Sequence, residues 1–471
     1  MLKINTKYKG NSLCGSGKPG AVAWVMKNRI LAQCLNVKAM CQLIILLNLV
    51  ISFHSVSSPW VEADDPYFRS DLQVMADSGL LLMPTNSYPV RWSLFSDQFS
   101  NIDIQHMSKT EELAYRSVQY RLDSEKLGRG RSHLTLGGAT DTQAGNNGFG
   151  GYLRTKAGIN ASHEVMVEQF AFRVASGYRQ AKSDEDNWNF DHSYFAVASH
   201  DISLSIGWLD RWWGPGWQHT SGLAQQSSPI PAFSLSYQQP QIPILGSLWF
   251  ETLIAKQDNE AKDDYLSASR LSLRPVAFLQ LGGTYKSWFG GNSGSVLSSE
   301  WMDAITTDND NGLYSFDGRL SALLPLNGSG GLYAEQGKTR GDTLKYQIIG
   351  ADAQWLVGKQ SMRLVVENAT QQVATSSYYG QVLQHQRSSI LSMPADQELS
   401  VGSYWQLSTD QQLSLFVHKT ELDNREIKRI STQIKQPAFA GLITLNMSFI
   451  DHEISGQDRN IFGINYEYRF N

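Results

Sequence analysis

Hydrophobic and polar residues alternate along most of the chain after residue 130. In the stretch ISLSIGW (202–208), Ile202, Leu204 and Ile206 lie on one face, and serine or glycine occupies the positions between them. Successive side chains of a β-strand point to opposite faces, so this period of two predicts strands with one face in apolar surroundings. The stretch FGINYEYRF (462–470) repeats the pattern, and its apolar face comprises Phe462, Ile464, Tyr466, Tyr468 and Phe470.

The two faces of these stretches distinguish a membrane barrel from a soluble sandwich. One face carries large and often aromatic residues and the other carries small or charged ones, which is typical of a barrel with lipid outside and a polar lumen. The connections also alternate between short ones, such as NAS (160–162) and KQP (435–437), and long ones, such as 209–230. We therefore predict an all-β transmembrane barrel of about 18 antiparallel strands over residues 129–471.

The residues before the barrel carry helix signals instead. Asp65 followed by Pro66 indicates a helix start, and Ser108 with Glu111 has the spacing of a capping box. We predict a small N-terminal α-helical unit over residues 58–128 and place it in the periplasm. It would either dock under the barrel or contact periplasmic export machinery, because an amphipathic pattern does not distinguish these two roles.

Residues 1–57 have the layout of a secretory signal peptide. They contain basic residues but no acidic ones, and the apolar run 40–53 precedes the small residues Ser55 and Ser57. The alternative is a membrane-spanning helix, but such a helix needs about 20 apolar residues and this run is shorter. We therefore predict a signal peptide that is cleaved after Ser57 and that directs export to the outer membrane.

Composition narrows the classes of function. The chain has 40 Lys and Arg residues against 44 Asp and Glu residues, so a nucleic-acid partner is not expected. Cys14, Cys34 and Cys41 are the three cysteines, and all precede residue 58, which excludes disulfides and cysteine-based metal sites from the remainder. The mean hydropathy of −0.30 excludes an ordinary helical membrane protein.

Motifs for catalysis or metal binding are weak. The histidines are scattered, and GNSGS (291–295) lacks the spacing of a nucleophile elbow. The stretch TDNDNG (307–312) has no glutamate to complete a calcium loop. We expect no enzymatic activity, no cofactor and no metal ion.

The stretch WLDRWWGPGW (208–217) places four tryptophans beside a Gly-Pro-Gly turn. If the termini are periplasmic, the fifth strand runs outward, and the connection 209–230 is extracellular or folded into the outer mouth. Three interpretations remain open. The indoles could belong to an aromatic girdle or to loop packing, they could stack on sugar rings, or Asp210 and Arg211 could form an ion pair that braces the loop.

Three segments of the chain resemble the Wzi family of capsule-assembly proteins. They are DPYFRSDLQVMADSGLLLMPTNSYPVRW (65–92), GWLDRWWGPGW (207–217) and PIPAFSLSYQ (229–238), and the Asp-Arg-Trp-Trp-Gly-Pro-Gly run is the specific part. The resemblance implies a periplasmic helical unit followed by an outer-membrane barrel. It also implies a lectin-like function that holds exported capsular polysaccharide at the cell surface without catalysis. The chain departs from the family in HTSGLAQQSSPIP (219–231), which lacks an arginine of the family pattern.

The sugar-binding interpretation gives each residue of the Trp-rich stretch a role. Trp212, Trp213 and Trp217 would provide apolar faces for sugar rings, and Asp210 and Arg211 would orient a hydroxyl or a uronate. A separate set of aromatic residues would form the membrane girdle at headgroup level, and it comprises Trp208, Tyr466, Tyr468 and Phe470.

Two functions from different classes fit these features. The first is an outer-membrane protein that binds surface or capsular polysaccharide and anchors or organises it on the cell exterior. The second is a porin-like diffusion channel, because a barrel of about 18 strands has a water-filled lumen unless something plugs it. The long connections 287–312 and 369–397 could fold inward and close it. The expected partners are polysaccharide, outer-membrane lipid and periplasmic export machinery.

Overall fold

The computed structural model of the chain describes most of residues 59–470. The described ranges are 59–127, 132–141, 148–151, 156–167, 169–180, 188–199, 201–224, 229–256, 265–289, 312–339, 344–373, 396–422, 425–452 and 458–470. The predicted signal peptide, GNSGS (291–295) and nearly all of TDNDNG (307–312) lie outside them, as do most of the connections 287–312 and 369–397. All of the described residues belong to one compact unit.

Within these ranges the chain forms a closed barrel of 18 antiparallel strands, as predicted. Each strand pairs with its neighbours in sequence. The strands are β1 (Ser132–Ala139), β2 (Ala157–Val167), β3 (Phe170–Arg179), β4 (Trp188–Asn189 and Tyr194–Ser199), β5 (Ile202–Gly207), β6 (Ala232–Ile242), β7 (Gly246–Lys256), β8 (Tyr265–Val276), β9 (Leu279–Phe289), β10 (Gly312–Leu324), β11 (Gly328–Thr339), β12 (Leu344–Val357), β13 (Gln360–Val373), β14 (Gln397–Gln406), β15 (Gln412–Leu422), β16 (Arg425–Ala438), β17 (Gly441–His452) and β18 (Arg459–Phe470).

The barrel closes where its last strand meets its first. β18 pairs antiparallel with β1 in a register that runs from Gly463 opposite Ala139 to Phe470 opposite Ser132. Closure pairs the backbone groups of every strand on both sides, and a sheet without edges is what a β-structure needs in order to lie in lipid.

The alternation in the sequence corresponds to the two faces of the wall. In β5, Ile202, Leu204 and Ile206 are exposed on the outer face. Ser203 and Ser205 point into the lumen, where their hydroxyl oxygens lie 2.6 and 2.7 Å from those of serines on β6. The prediction that the large apolar face is the outer one is therefore confirmed for this strand.

Two stretches that the sequence predicts as short connections are parts of strands in the structure. NAS (160–162) lies inside β2, and KQP (435–437) lies inside β16, which continues to Ala438. In both stretches, turn-forming or polar residues occur where the strand faces the polar lumen, so they interrupt the apolar pattern without ending the strand. The tight turn after β16 is formed by Phe439 and Ala440, whose φ angles are 51° and 62°.

The N-terminal residues form three helices: α1 (Pro66–Asp77), α2 (Ser96–Ser100) and α3 (Lys109–Lys126). The carboxylate of Asp65 caps α1 by accepting the backbone N–H groups of Tyr67 and Phe68 at 3.0 and 3.1 Å. At α3 the predicted capping box between Ser108 and Glu111 is present. No helix among the described residues is both long enough and apolar enough to cross a membrane.

Helix α1 lies inside the barrel lumen. All of its residues are buried, and inward-facing side chains of the wall contact its backbone. Arg363 donates to the carbonyl of Ser70 at 3.0 Å, and Arg274 donates to that of Ala76 at 2.8 Å. The carboxylate of Asp77 accepts Arg319 at 2.8 Å. The predicted helical unit thus enters the barrel instead of only lying beneath it.

Helix α3 packs against α1 and extends the same core. Ala114, Val118 and Leu122 are buried in a cluster that also contains Leu72 and Met75 of α1. The opposite side of α3 is exposed and carries an ion pair between Arg116 and Glu112. The spacing of the buried residues is that of an amphipathic helix with one side on a core.

Arg69 of α1 is enclosed by the residues around it. Its guanidinium carbon lies 4.2 Å from the ring centroid of Trp217 and 4.5 Å from that of Phe149. Its Nη atoms donate to the carbonyl oxygens of Pro215 and Gly216, each at 2.9 Å. Arg69 therefore joins α1 to the Trp-rich stretch by hydrogen bonds and by cation–π contacts.

We expect Arg69→Ala to lower the free energy of unfolding by about 2–4 kcal/mol, because it leaves the buried carbonyl of Pro215 without its donor, removes one of the two donors to the carbonyl of Gly216 and removes two ring contacts. Thermal unfolding in detergent measures this change. The control is Arg116→Ala, which removes an exposed ion pair and should leave the unfolding temperature unchanged. Equal effects of the two substitutions would contradict the assigned role of Arg69.

Candidate functional site

Residues 209–224, which we call the inner segment, fold into the lumen and are buried throughout. They begin after Gly207, whose φ of 137° takes the chain away from the wall. A Cβ atom at Gly207 would lie 2.3 Å from the carbonyl oxygen of Ser193, so only glycine fits there. Of the two positions expected for this connection, extracellular or folded into the barrel mouth, the structure corresponds to the second, because this stretch is interior.

The inner segment and the N-terminal residues form a small sheet. Trp212 and Trp213 pair antiparallel with Tyr88 and Ser87, respectively. The backbone N–H of Gly214 extends this contact by donating to the carbonyl of Asn86 at 2.8 Å. The two parts of the chain that fill the lumen are therefore bonded to each other as well as to the wall.

The three tryptophans predicted to stack on sugars are enclosed instead. Trp212, Trp213 and Trp217 each have 0% of their surface exposed. Trp213 packs edge-on against Trp249 with ring centroids 6.0 Å apart, and Trp217 lies 5.7 Å from Tyr404. Because no face of these indoles is open, the structure does not place them as a sugar-stacking surface, and their position corresponds to the loop-packing interpretation.

Asp210 and Arg211 do not pair with each other. The interpretation in which an ion pair between them braces the loop is therefore wrong. Oδ2 of Asp210 lies 2.8 Å from Nδ1 of His192. Arg211 donates from Nε to Glu251 on β7 at 2.9 Å. Each residue therefore connects the inner segment to the rest of the barrel instead of bracing the loop internally.

The aromatic residues predicted for the membrane girdle lie on the outer wall. Trp208 and Tyr466 are half-buried, whereas Tyr468 and Phe470 are exposed and their rings stack with centroids 5.7 Å apart. The hydroxyl of Tyr466 donates to the carbonyl of Phe439 at 2.7 Å, at the turn between β16 and β17. Their assignment to the girdle stays a prediction.

Two glutamates of the wall hold the inner segment, and the sequence interpretation missed both. Glu367 of β13 accepts the N–H groups of Trp217 and His219 at 2.8 and 2.5 Å. Glu335 of β11 accepts the N–H of Ser221 at 3.2 Å. The signal that could have revealed them is their inward register, since a carboxylate that faces the lumen needs a donor.

His219 lies between two carboxylates of the wall. Its Nδ1 is 2.7 Å from Glu367, and its Nε2 is 3.2 Å from Glu398. Burial alone would lower the pKa of His219, but these two carboxylates outweigh that effect and raise it to about 9. The imidazole is therefore charged at neutral pH, where it neutralises part of the negative charge of the wall.

A polar cavity of about 480 Å³ remains beside the inner segment. We call it the lumen cavity. Inward-facing residues of β1–β3 and β15–β18 line it, together with N-terminal residues. Asp210 also lines it, whereas Arg211 and the three enclosed tryptophans are absent from its lining. Among the described residues, no group of three or more His, Cys, Asp or Glu side chains is arranged to hold a metal ion.

Comparison with known proteins assigns the chain to a family. The family described as "Capsule assembly protein Wzi" matches residues 125–447. The chain belongs to the Wzi family. The resemblance of residues 65–92, 207–217 and 229–238 to this family is thus confirmed, and the closed barrel agrees with an outer-membrane protein of the family.

Two relatives show how far this likeness extends. An uncharacterized 55.8 kDa protein in the cps region of Klebsiella pneumoniae is 23% identical over 304 residues, and the match spans 59% of each chain. The structure of Wzi from Escherichia coli, described as a carbohydrate-binding β-barrel involved in group 1 capsule assembly, superposes with a TM-score of 0.75 at 16% identity. That match covers 88% of this chain and all of the other, and it shows the fold of this Wzi family member.

Replacing Trp213 with alanine should destabilise this Wzi family member by about 3–5 kcal/mol, because it leaves a cavity at a fully buried position. Denaturant unfolding in detergent measures the loss. Trp208→Ala is the matched control on the outer wall, and it should cost much less. A stable Trp213→Ala protein would contradict the assignment of this indole to the core.

Gly222→Ala should also destabilise the protein, by about 1–3 kcal/mol, because its Cβ would lie 1.8 Å from the carbonyl oxygen of Trp213. The yield of folded barrel and its unfolding temperature report this effect. At Gly318 the nearest heavy atom to an added Cβ is 3.6 Å away, so Gly318→Ala should fold normally. Normal folding of both variants would argue against the described path of the inner segment.

Proposed function

We propose that this chain is a lectin-like protein that binds surface or capsular polysaccharide and anchors or organises it on the cell exterior, without catalysing a reaction. The E. coli protein with the same fold is described as carbohydrate-binding and involved in group 1 capsule assembly. The family of this chain is one of capsule assembly. The proposal transfers the carbohydrate binding of that relative to this chain.

The observation that carries the proposal is the filled lumen. Helix α1 and the inner segment occupy the space between the walls, and the ion pairs of Asp77 and the hydrogen bonds of Glu367 hold them there. A diffusion channel needs a continuous water-filled path, whereas a binding protein can use the barrel as a rigid support. A lumen filled by bonded protein segments favours binding over passage.

A porin-like channel is the second candidate, and the lumen cavity is the observation that favours it. The cavity is lined by residues near both ends of the strands, from Arg469 and Lys435 beside the short connections to Arg179 and Asn189 beside the long ones. Conductance through such a path would be small, because the plug occupies the rest of the lumen.

The remaining partners follow from the two surfaces of the protein. Outer-membrane lipid would contact the apolar outer wall, with Trp208, Tyr466, Tyr468 and Phe470 at headgroup level. Periplasmic export machinery would contact the exposed side of α3, where Tyr120 is 57% exposed. Export itself would use the signal peptide of residues 1–57.

We expect that deleting the gene of this protein leaves polysaccharide synthesis intact but moves polymer from the cells to the medium. The measurement is the partition of polysaccharide between washed cells and culture supernatant, with total polymer as the control. A plasmid copy of the gene should restore retention. An unchanged partition would contradict the anchoring function.

Single-channel conductance in planar bilayers separates the second candidate from the first. The purified full chain should give no steady open state. Steady conductance, even of the small size expected for the lumen cavity, together with unchanged polymer retention, would favour the channel instead.

A further inference from the structure

Three glycines create space on one part of the inner wall. Gly137 of β1, Gly158 of β2 and Gly177 of β3 all line the lumen cavity, and we call them the glycine shelf. They face inward, because their neighbours Leu136 and Ile159 are exposed on the outer face. Gly137 and Gly158 are directly paired, so two adjacent strands have no side chains of their own at this level of the inner wall.

Asparagine side chains border this shelf. A Cβ atom at Gly137 would lie 2.4 Å from Oδ1 of Asn465, and one at Gly177 would lie 2.9 Å from Oδ1 of Asn189 and 3.0 Å from Nδ2 of Asn160. The amides therefore lie over the positions where larger residues would place their side chains. A primary amide offers both donors and an acceptor, which suits recognition of hydroxyl groups, since these also donate and accept.

Asp210 gives a second and independent indication of a ligand. It lines the same cavity, and its residue surface is 5% exposed. Its Oδ2 is paired with His192, but its Oδ1 has no hydrogen-bond partner within the described parts of the chain. A buried carboxylate oxygen without a donor is costly, so a ligand hydroxyl that donates to it would be bound favourably.

The charges around the cavity indicate an uncharged ligand. Eight carboxylates and five Arg or Lys side chains line it. The arginines already have acidic partners, since Arg173 contacts both Glu62 and Glu164, and Arg179 lies 3.1 Å from Asp191. An anionic sugar would meet an excess of negative charge, whereas a neutral one would meet no such repulsion.

We propose that the lumen cavity is a binding site for a neutral, hydroxyl-rich saccharide segment, with the asparagines of the shelf border and Asp210 as its hydrogen-bonding residues. The volume of about 480 Å³ lies within the roughly 300–1,000 Å³ of small-molecule sites. The class of ligand rests on the proposed function, because that function brings polysaccharide to this protein. The site is separate from the buried tryptophans.

Thiol labelling tests whether saccharide enters the cavity. Residues 58–471 contain no cysteine, so S162C places a single new thiol in the cavity within this part of the chain, at a residue that the proposal does not use for hydrogen bonding. A161C is the matched control, because Ala161 is exposed on the opposite face of the same strand and does not line the cavity. The probes are oligosaccharides from partial hydrolysis of the bacterium's own surface polysaccharide, separated into neutral and acidic fractions.

Neutral fragments should slow labelling at position 162 and leave labelling at position 161 unchanged, with mass spectrometry of peptides locating the label. In direct binding, Asn465→Ala should weaken the affinity for neutral fragments about tenfold, the effect of losing one well-formed hydrogen bond. Leu136→Ala, on the outer face of β1, should leave this affinity unchanged.

The possible results separate this site from the proposed function. Protection at position 162 together with weaker binding by Asn465→Ala supports the site, even if polymer retention in cells does not depend on the protein. If the purified protein binds intact polymer but fragments never protect position 162, the cavity site is overturned and the anchoring function stands. Absence of binding to polymer and to fragments overturns both, and protection by acidic fragments alone overturns the neutral ligand.

Discussion

Charged side chains on the inner wall of the barrel determine where the rest of the chain lies. Arg274 needs an anionic partner, because an unpaired buried charge costs on the order of several kcal/mol, and Asp77 at the end of α1 is that partner. Asp77 also pairs with Arg319, which contacts Asp352 of the wall as well. Glu367 needs donors, and backbone N–H groups of the inner segment provide them. The wall and the segments inside it therefore satisfy each other's polar groups, and a barrel without these segments would need water in their place.

This constraint changes the meaning of the Trp-rich stretch. Its indoles are the apolar part of a structure whose polar groups are held by the wall, so Trp213 and Trp217 contribute packing to the barrel core. Asp210 differs from them, since it reaches a cavity that is still empty of protein. The Trp-rich motif that identifies the family therefore packs the core beside the proposed site, whereas the proposed saccharide contacts come mainly from barrel strands.

The fold could be predicted from the sequence because a period of two is a strong local signal, and it persists from Ser132 to Phe470. The capping box at Ser108 is also a local pattern, and the sequence predicted it correctly. The position of the inner segment could not be predicted from local sequence, because it depends on Glu335 and Glu367, which are distant in sequence from the residues that they hold. In the sequence alone, Gly-Pro-Gly is typical of a surface turn, because nothing nearby in the chain shows that these carboxylates face it.

The pairing of β18 with β1 has a consequence for how the molecule is assembled. The wall becomes a closed ring only when its C-terminal strand is in place. The inner segment is tethered to the wall at both ends, by β5 and β6, so it is already attached to the sheet when the ring closes. A factor that guides barrel insertion would therefore handle a sheet that carries part of its own plug.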